Sequence, residues 1–345
     1  MKTSKFVLVG VGNIGRRFLQ IAAEKQESLQ ARYAVQLILA AAVDSRGAAL
    51  AASGLAINEV LRLKERGAGV AAYPTHGISG LTAMDALGQA EADLLIELSP
   101  TNLQHGEPGL SAITWALTHG LDVVTANKGP LVLAYQRLAA LAQERGQSLL
   151  FSGAVAGGLP TVNIGRRDLA GARVLRVEGI FNTTTNYILS RMSEDGLSFE
   201  EALAEAQRAG VAEADPSLDV DGWDAANKLV IVANSVLGMP ATLSDVSVQG
   251  IRDLQRDDLL RAKEHGHVIK LLVSAEPQAQ QYKLAVRPTE LPLEHPLARL
   301  SKWQMGVVYT TDTMGSITVV IEDEGTSATA AAVLRDVIHT ITARP

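Results

Sequence analysis

The chain has no cysteine, which removes disulfides, thiolate metal sites and thiol nucleophiles from its possible chemistry. Aromatic residues are scarce, at 4%. The apolar content is instead mostly Ala, Leu and Val, as in layered α/β proteins. Positive charge is not in excess: the net charge of −6 argues against a nucleic-acid partner, which would want a basic face. No apolar run approaches the roughly 18 residues needed to span a bilayer, so no membrane association is expected. The opening MKTSKFVLVG leads directly into a strand, without the apolar h-region and cleavage site of a signal peptide. A cytoplasmic location is the expectation.

What is present is core-forming material. The chain of 345 residues is 47% hydrophobic and 20% charged, enough for two or three units. Phe6–Val9 is a short apolar run of the kind that forms a buried parallel strand. It leads into Gly10-Val11-Gly12-Asn13-Ile14-Gly15 and then a helical repeat. Strand, GxGxxG and helix in that order read as a dinucleotide-binding turn, with a pyrophosphate at the positive helix N-terminus. The next strand, VQLILAAAV, ends at Asp44-Ser45-Arg46. A carboxylate there suits the ribose hydroxyls of NAD, and an arginine suits the 2′-phosphate of NADP, so both cofactors stay open. Asp44 lies further from Gly15 than the usual ~20 residues, which a longer first helix or an inserted turn would explain.

Strand–helix alternation continues. DLLIEL ends in a polar loop holding Ser99 and Thr101, and LDVVTA ends at Asn127-Lys128-Gly129-Pro130. Open α/β sheets bind ligands at these carboxyl ends of strands, so Lys128 is a cation beside the expected nicotinamide. The fold class is therefore α/β: a Rossmann-type doubly wound parallel sheet over residues 1–151. The composition then changes at AVAGGLPTVNIG. Residues 152–325 read as a second α+β domain with an antiparallel or mixed sheet, for substrate binding and dimerisation. In it, Pro288, Pro292 and Pro296 mark an extended linker, and Asn182–Asn186 a polar turn. The terminal helix, 326–345, is expected to dock back on the first domain.

The second domain carries the densest chemistry. EADPSLDVDGWDAANK holds five acidic residues, Glu213, Asp215, Asp219, Asp221 and Asp224, and closes on Lys228. Pro216 and Gly222 supply turn chemistry, and DAANKLVIVANSVLG reads as a helix stopped at Gly238. Four apart on that helix, Asp224 and Lys228 share a face. A carboxylate and an amine side by side can bind a substrate ammonium and move a proton. Such pairs are also common as solvated surface pairs, worth well under about 1 kcal/mol.

Taken together, VGVGNIG, SPTNLQHGEPGLS, VVTANKGPL, VAGGLP, TTNYILSRM, GLSFEEALAEAQ and AEADPSLDVDGWDAANK resemble the homoserine dehydrogenases, in the short form without a regulatory extension. The resemblance spans almost the whole chain and implies NAD(P)-dependent interconversion of L-aspartate 4-semialdehyde and L-homoserine, in threonine, methionine and isoleucine biosynthesis, by a homodimer. It implies cofactor contacts from Gly10 through Gly15, Asp44, Arg46, Ser99, Thr101, Lys128 and Gly325. Glu213, Asp224 and Thr184 would bind the amino-acid substrate, with Asp219 beside them. Lys228 would donate the proton to the carbonyl oxygen, near Lys128. A monovalent cation, Na⁺ or K⁺, would sit on the backbone of Val155 and Gly157. A related aldehyde dehydrogenase, or a nucleotide-binding regulator, is the alternative. A regulator would need the fold but not this set of lysines and carboxylates. Aspartate-semialdehyde dehydrogenase is excluded, because its thioester chemistry needs a cysteine.

Three positions depart from the family pattern. Ser152 replaces an acidic residue, Thr183 replaces a glycine in the Asn182–Asn186 stretch, and the loop over the cofactor reads Glu322-Asp323-Glu324-Gly325. Three carboxylates there would repel a phosphate unless they point outward, which tilts the expectation toward NAD.

Overall fold

In the computed structural model, residues 1–279 and 281–343 are described; Arg344 and Pro345 of the expected terminal segment lie outside them. The chain forms two compact units: residues 1–158 together with the segment from Thr326 onward, and Leu159–Gly325.

The first unit runs β1 (Lys2–Val9), α1 (Asn13–Glu24), α2 (Gln26–Tyr33), β2 (Val35–Asp44), β3 (Gly47–Leu50), α3 (Ile57–Glu65), β4 (Gly77–Ser79), α4 (Ala83–Gln89), β5 (Leu94–Glu97), α5 (Gly109–Thr118), β6 (Asp122–Thr125), α6 (Lys128–Arg145) and β7 (Leu149–Leu150). Its sheet has the order β4-β3-β2-β1-β5-β6-β7. Five strands are parallel, and β3 and β4 add an antiparallel edge. Neither edge strand stood out in the sequence. The edge forms because Gly47, at φ +141, folds the chain back on Asp44 directly after β2, a turn open to glycine. The long interval from Gly15 to Asp44 is filled by the extra helix α2. Phe6 packs edge-on against Phe18, with ring centroids 5.9 Å apart, and both are fully buried. Each such side chain contributes about 1.5–3 kcal/mol.

The last helix (Ser327–Ala343) adds Ala330, Val333, Leu334 and Val337 to this same core. It also explains why the unit extends to residue 158, beyond the expected boundary at 151. The backbone N–H and hydroxyl of Ser152 both donate to Asp336 Oδ2, at 2.8 and 2.7 Å, and Arg335 donates to Ser152 Oγ at 3.0 Å. The turn after β7 is thereby tied to the last helix, and the crossing comes later.

The second unit contains α7 (Thr161–Asn163), β8 (Val174–Ile180), α8 (Thr183–Asp195), α9 (Phe199–Arg208), α10 (Ser217–Val220), α11 (Trp223–Ser235), β9 (Val246–Val248), α12 (Arg256–Glu264), β10 (His267–Gln278), β11 (Gln281–Pro292), β12 (Gln304–Thr311) and β13 (Ser316–Glu322). They build a mixed sheet of order β13-β12-β8-β10-β11-β9. Ser198 and Glu201 close the capping box that starts α9. Pro288 and Pro292 do not lie in a linker; they extend β11, opposite Leu271 and His267 of β10. The other neighbour, β9, pairs only with Leu284–Val286. Among the described residues no strand pairs with the outer edge of β11 beyond that point, and a proline there forfeits no ladder hydrogen bond. No helix among the described residues is long and apolar enough to cross a membrane.

Candidate active site

In the first unit the candidate residues gather at the carboxyl ends of the parallel strands. The loop after β1 is shaped by its glycines. Gly10 has φ +98, and a Cβ there would stand 2.3 Å from the Leu98 carbonyl oxygen; a Cβ on Gly15 would meet the Gly10 carbonyl oxygen at 2.1 Å. These two allow the tight turn. A Cβ on Gly12 would meet nothing within 4 Å, so this middle glycine faces open space, where a ligand's phosphates can approach the backbone. Gly12 also provides no side-chain cap to α1, and Val11, Asn13 and Ile14 complete the turn. These features fit a dinucleotide, as the motif requires.

At the end of β2, Asp44 is already engaged. Its Oδ1 accepts from the Arg46 amide at 2.9 Å, and its Oδ2 from Lys64 Nζ at 2.7 Å and the Val70 amide at 3.0 Å. Burial alone would raise the Asp44 carboxyl, but Lys64 and the two amides outweigh it and hold the group below its ordinary range. The Arg46 guanidinium reaches the Gly67 carbonyl at 2.8 Å. Lys64 was missed in the sequence, because it lies on α3, 20 residues away, with no motif to mark it. Thr101 is exposed in the loop after β5. Lys128 is half-buried as the first residue of α6, whose N-cap is Asn127. Val155 is buried, and Ala156 and Gly157 after it both have positive φ.

Hydrogen-bonded to Ser99 and Asn127 stands a second missed residue, Glu97, the last residue of β5 and fully buried. Burial pushes its carboxyl up, against hydrogen bonds from Ser99, Thr125 and Asn127.

In the second unit the acidic stretch and the Asn182 region meet. Lys228 Nζ lies 2.6 Å from Asp224 Oδ2 and donates to the Phe181 carbonyl at 2.5 Å. Asn182 Nδ2 bridges Asp219 Oδ1 at 2.6 Å and Asp224 Oδ2 at 2.9 Å. The ion pair is no solvated surface pair: its two side chains are 12% and 11% exposed. A hydrogen-bonded amine and carboxylate, shielded this far from water, form a directed proton site.

Asn182 is the organising residue that sequence reading left inside a polar turn. It is the N-cap of α8, its Oδ1 accepting from the Thr185 amide at 2.9 Å. The stretch from Thr183 to Asn186 is the first turn of that helix. An asparagine before a helix was signal enough for the cap, but the bridge to residues 37 and 42 positions later was not. Thr183 takes helical backbone, so its position makes no demand for glycine.

The other predicted residues are placed differently. Thr184 gives its hydroxyl proton to the Val211 carbonyl at 3.0 Å, fastening α8 to the loop before Glu213. Glu213 itself is exposed. Asp215 Oδ1 accepts from the Ser217 amide and hydroxyl, and Asp221 pairs with Arg252. In the acidic loop, Asp323 is buried while Glu322 and Glu324 are exposed, so one of the three carboxylates is withdrawn. Gly325, at φ +90, ends the unit. Among the described residues no group of three or more His, Asp or Glu side chains is placed to hold a metal.

Comparison with known proteins gives a consistent match. A family model described as homoserine dehydrogenase matches residues 160–338, and one described as the homoserine dehydrogenase NAD-binding domain matches residues 10–152. The chain is 36% identical to the homoserine dehydrogenase of Methanocaldococcus jannaschii, over 96% of this chain and 97% of that one. It is 35% identical to an NAD⁺-dependent homoserine dehydrogenase of Pseudomonas canavaninivorans, over 98% and 96%. An Archaeoglobus fulgidus structure, described provisionally as a homoserine dehydrogenase, superposes with TM-score 0.88 at 36% identity, covering 98% of this chain and 99% of that one.

Proposed function

This chain belongs to the homoserine dehydrogenase family, and from that premise we propose that it interconverts L-aspartate 4-semialdehyde and L-homoserine with NAD or NADP, Lys228 carrying the proton. The observation that carries the assignment is the shielded Lys228–Asp224 pair, bridged through Asn182 to Asp219.

Bound NAD(P)H supplies the hydride for the aldehyde carbon. Negative charge then grows on the former carbonyl oxygen, where a cation with a transferable proton is wanted. Two N–H groups of Lys228 are directed at Asp224 and the Phe181 carbonyl, leaving the third for that oxygen. Asp224 holds the ammonium in place, and Asn182 holds Asp224. For oxidation of homoserine, Lys228 must first be neutral, so that it can accept the hydroxyl proton. Glu213 and Asp224 are assigned to the substrate's ammonium, with Asp219 beside them; Lys128 serves on the nucleotide unit.

The partner is a second copy of the chain. Among the described residues the edge strand β13 is paired on one side only and exposes Val320 at 43%, with Ile317, Val319 and Ile321 half-buried. Exposed apolar edge strands invite pairing.

The test is oxidation of NADH and of NADPH with aspartate semialdehyde, against an aldehyde lacking the amino group. Turnover should be strong with the first and fall at least about tenfold with the second, for loss of a charge-assisted contact. Equal turnover with both would overturn the substrate assignment and leave a general aldehyde reductase.

A further inference from the structure

The Glu97 carboxylate has no part in the chemistry above, yet it is the hub of the ligand-facing edge of the first sheet. It is 0% exposed, paired between Val9 of β1 and Thr125 of β6. Four donors converge on it: the Ser99 amide at 2.9 Å, the Ser99 hydroxyl, the Thr125 hydroxyl at 3.0 Å and Asn127 Nδ2 at 3.5 Å. Gly109, the first residue of α5, lets that helix start against it: a Cβ there would stand 3.1 Å from Glu97 Cδ and 2.7 Å from Asn127 Nδ2.

Glu97 Oε1 meets the Ser99 amide and Asn127 Nδ2, groups that can only donate, so it accepts there and dictates the direction of the hydrogen bonds around it. Thr125 Oγ1 accepts from the Asn127 amide at 3.0 Å, so its own proton points to Glu97. Asn127 must turn its NH₂ toward the carboxylate and Ser99, at 3.3 Å from Ser99 Oγ. Its carbonyl oxygen then accepts from the Gly129 amide at 3.0 Å, capping α6 and fixing the turn that begins with Lys128. Ser99 has both its N–H and its O–H committed inward. What it can offer a ligand is an oxygen lone pair.

We propose that Glu97 is a positioning residue for the nucleotide site: it makes Ser99 a hydrogen-bond acceptor and fixes the helix turn that presents Lys128. The ligand group selected is then a donor, such as a ribose hydroxyl or a carboxamide N–H of the nicotinamide half. This rests on the reading of Ser99 and Lys128 as nucleotide contacts.

The test is Glu97→Gln, which keeps the shape but places an NH₂ among donors. NADH and NADPH dissociation constants are measured by fluorescence titration, and KM for aspartate semialdehyde separately. Nucleotide binding should weaken about tenfold or more while KM for the aldehyde stays within about twofold. Ser99→Ala should weaken the nucleotide similarly, and the double variant should lose no more than about the larger single effect, because both act through one contact. Thr125→Val carries the same expectation in milder form, should Glu97→Gln fail to fold. Folded variants with unchanged nucleotide affinity, or losses that multiply in the double variant, overturn the proposal. A wild-type protein that binds neither nucleotide overturns the functional reading itself, a result these variants would not produce.

Discussion

Lys228 Nζ lies 2.6 Å from Asp224 Oδ2, one helical turn along α11. The pair is buried because α11 starts from Gly222, at φ +86, and turns its first face toward Asn182. Spacing alone places the two on one face; only the tertiary fold decides whether that face meets water.

Replacing Lys228 with Ala should lower kcat about 10²-fold or more in both directions, the usual size of general acid–base catalysis. Nucleotide affinity should hold, since the glycine loop is untouched. Reduction takes a proton from Lys228 and homoserine oxidation returns one to it, so the loss should appear in both directions. Lys128→Ala provides the control. If it lowers kcat by that amount while Lys228→Ala only raises KM for homoserine, the roles are exchanged.

Glu213 is exposed in the loop that Thr184 fastens through Val211. Paired with the substrate ammonium, it should respond to Glu213→Gln by a rise in KM for the amino acid of about tenfold, with nucleotide affinity unchanged. A loss of NAD(P)H affinity instead would move Glu213 to the cofactor site.

The fold was legible where its signals are local. Phe6–Val9, the glycine loop and the helix after it are contiguous, and so is the capping box at Ser198 and Glu201. The acidic stretch was legible for the same reason. What escaped was contact made across the chain. Glu97 reads as one more strand residue until Thr125 and Asn127 arrive from the next strand. Ser152 reads as a lost carboxylate, but Asp336 stands 2.7 Å from its hydroxyl, 184 residues on. Pro288 reads as a linker until the short reach of β9 shows that its N–H would have had no partner.

We propose that nucleotide choice turns on Asp44, Lys64 and Arg46. With Asp44 satisfied by Lys64 and two amides, its charge is partly countered, while Arg46 stands two residues on. Arg46→Ala should lower kcat/KM for NADPH at least about fivefold and change that for NADH by less than about twofold, as loss of a phosphate partner would. An equal loss with both nucleotides would show Arg46 acting only as a brace on the Gly67 carbonyl.

The second unit should also carry a pH-dependent stability from Lys270. This residue of β10 is 5% exposed. Its ammonium donates to Asn186 Oδ1 at 2.8 Å and the Leu300 carbonyl at 2.6 Å. Asn186 in turn donates to the Ser301 and Gln304 carbonyls, both at 2.9 Å. Burial lowers the lysine to about 8, against a small opposing pull from Glu194. In the unfolded chain the same lysine keeps its ordinary value near 10.5. Between pH 8 and 10.5, then, the unfolded state holds a proton that the folded state has released. Stability therefore rises with pH across that window, and is flat in this group below and above it. The full span is about 3 kcal/mol. Other groups titrate there too, so the useful quantity is the difference between wild type and Lys270→Met. From pH 8 to 9.5, urea unfolding should shift that difference toward the wild type by about 1–2 kcal/mol. The constant loss from leaving Asn186 and Leu300 unpaired cancels in such a slope. A difference that stays level would mean that the folded protein keeps the Lys270 ammonium charged through this window, with Asn186 and Leu300 serving it well enough in place of water.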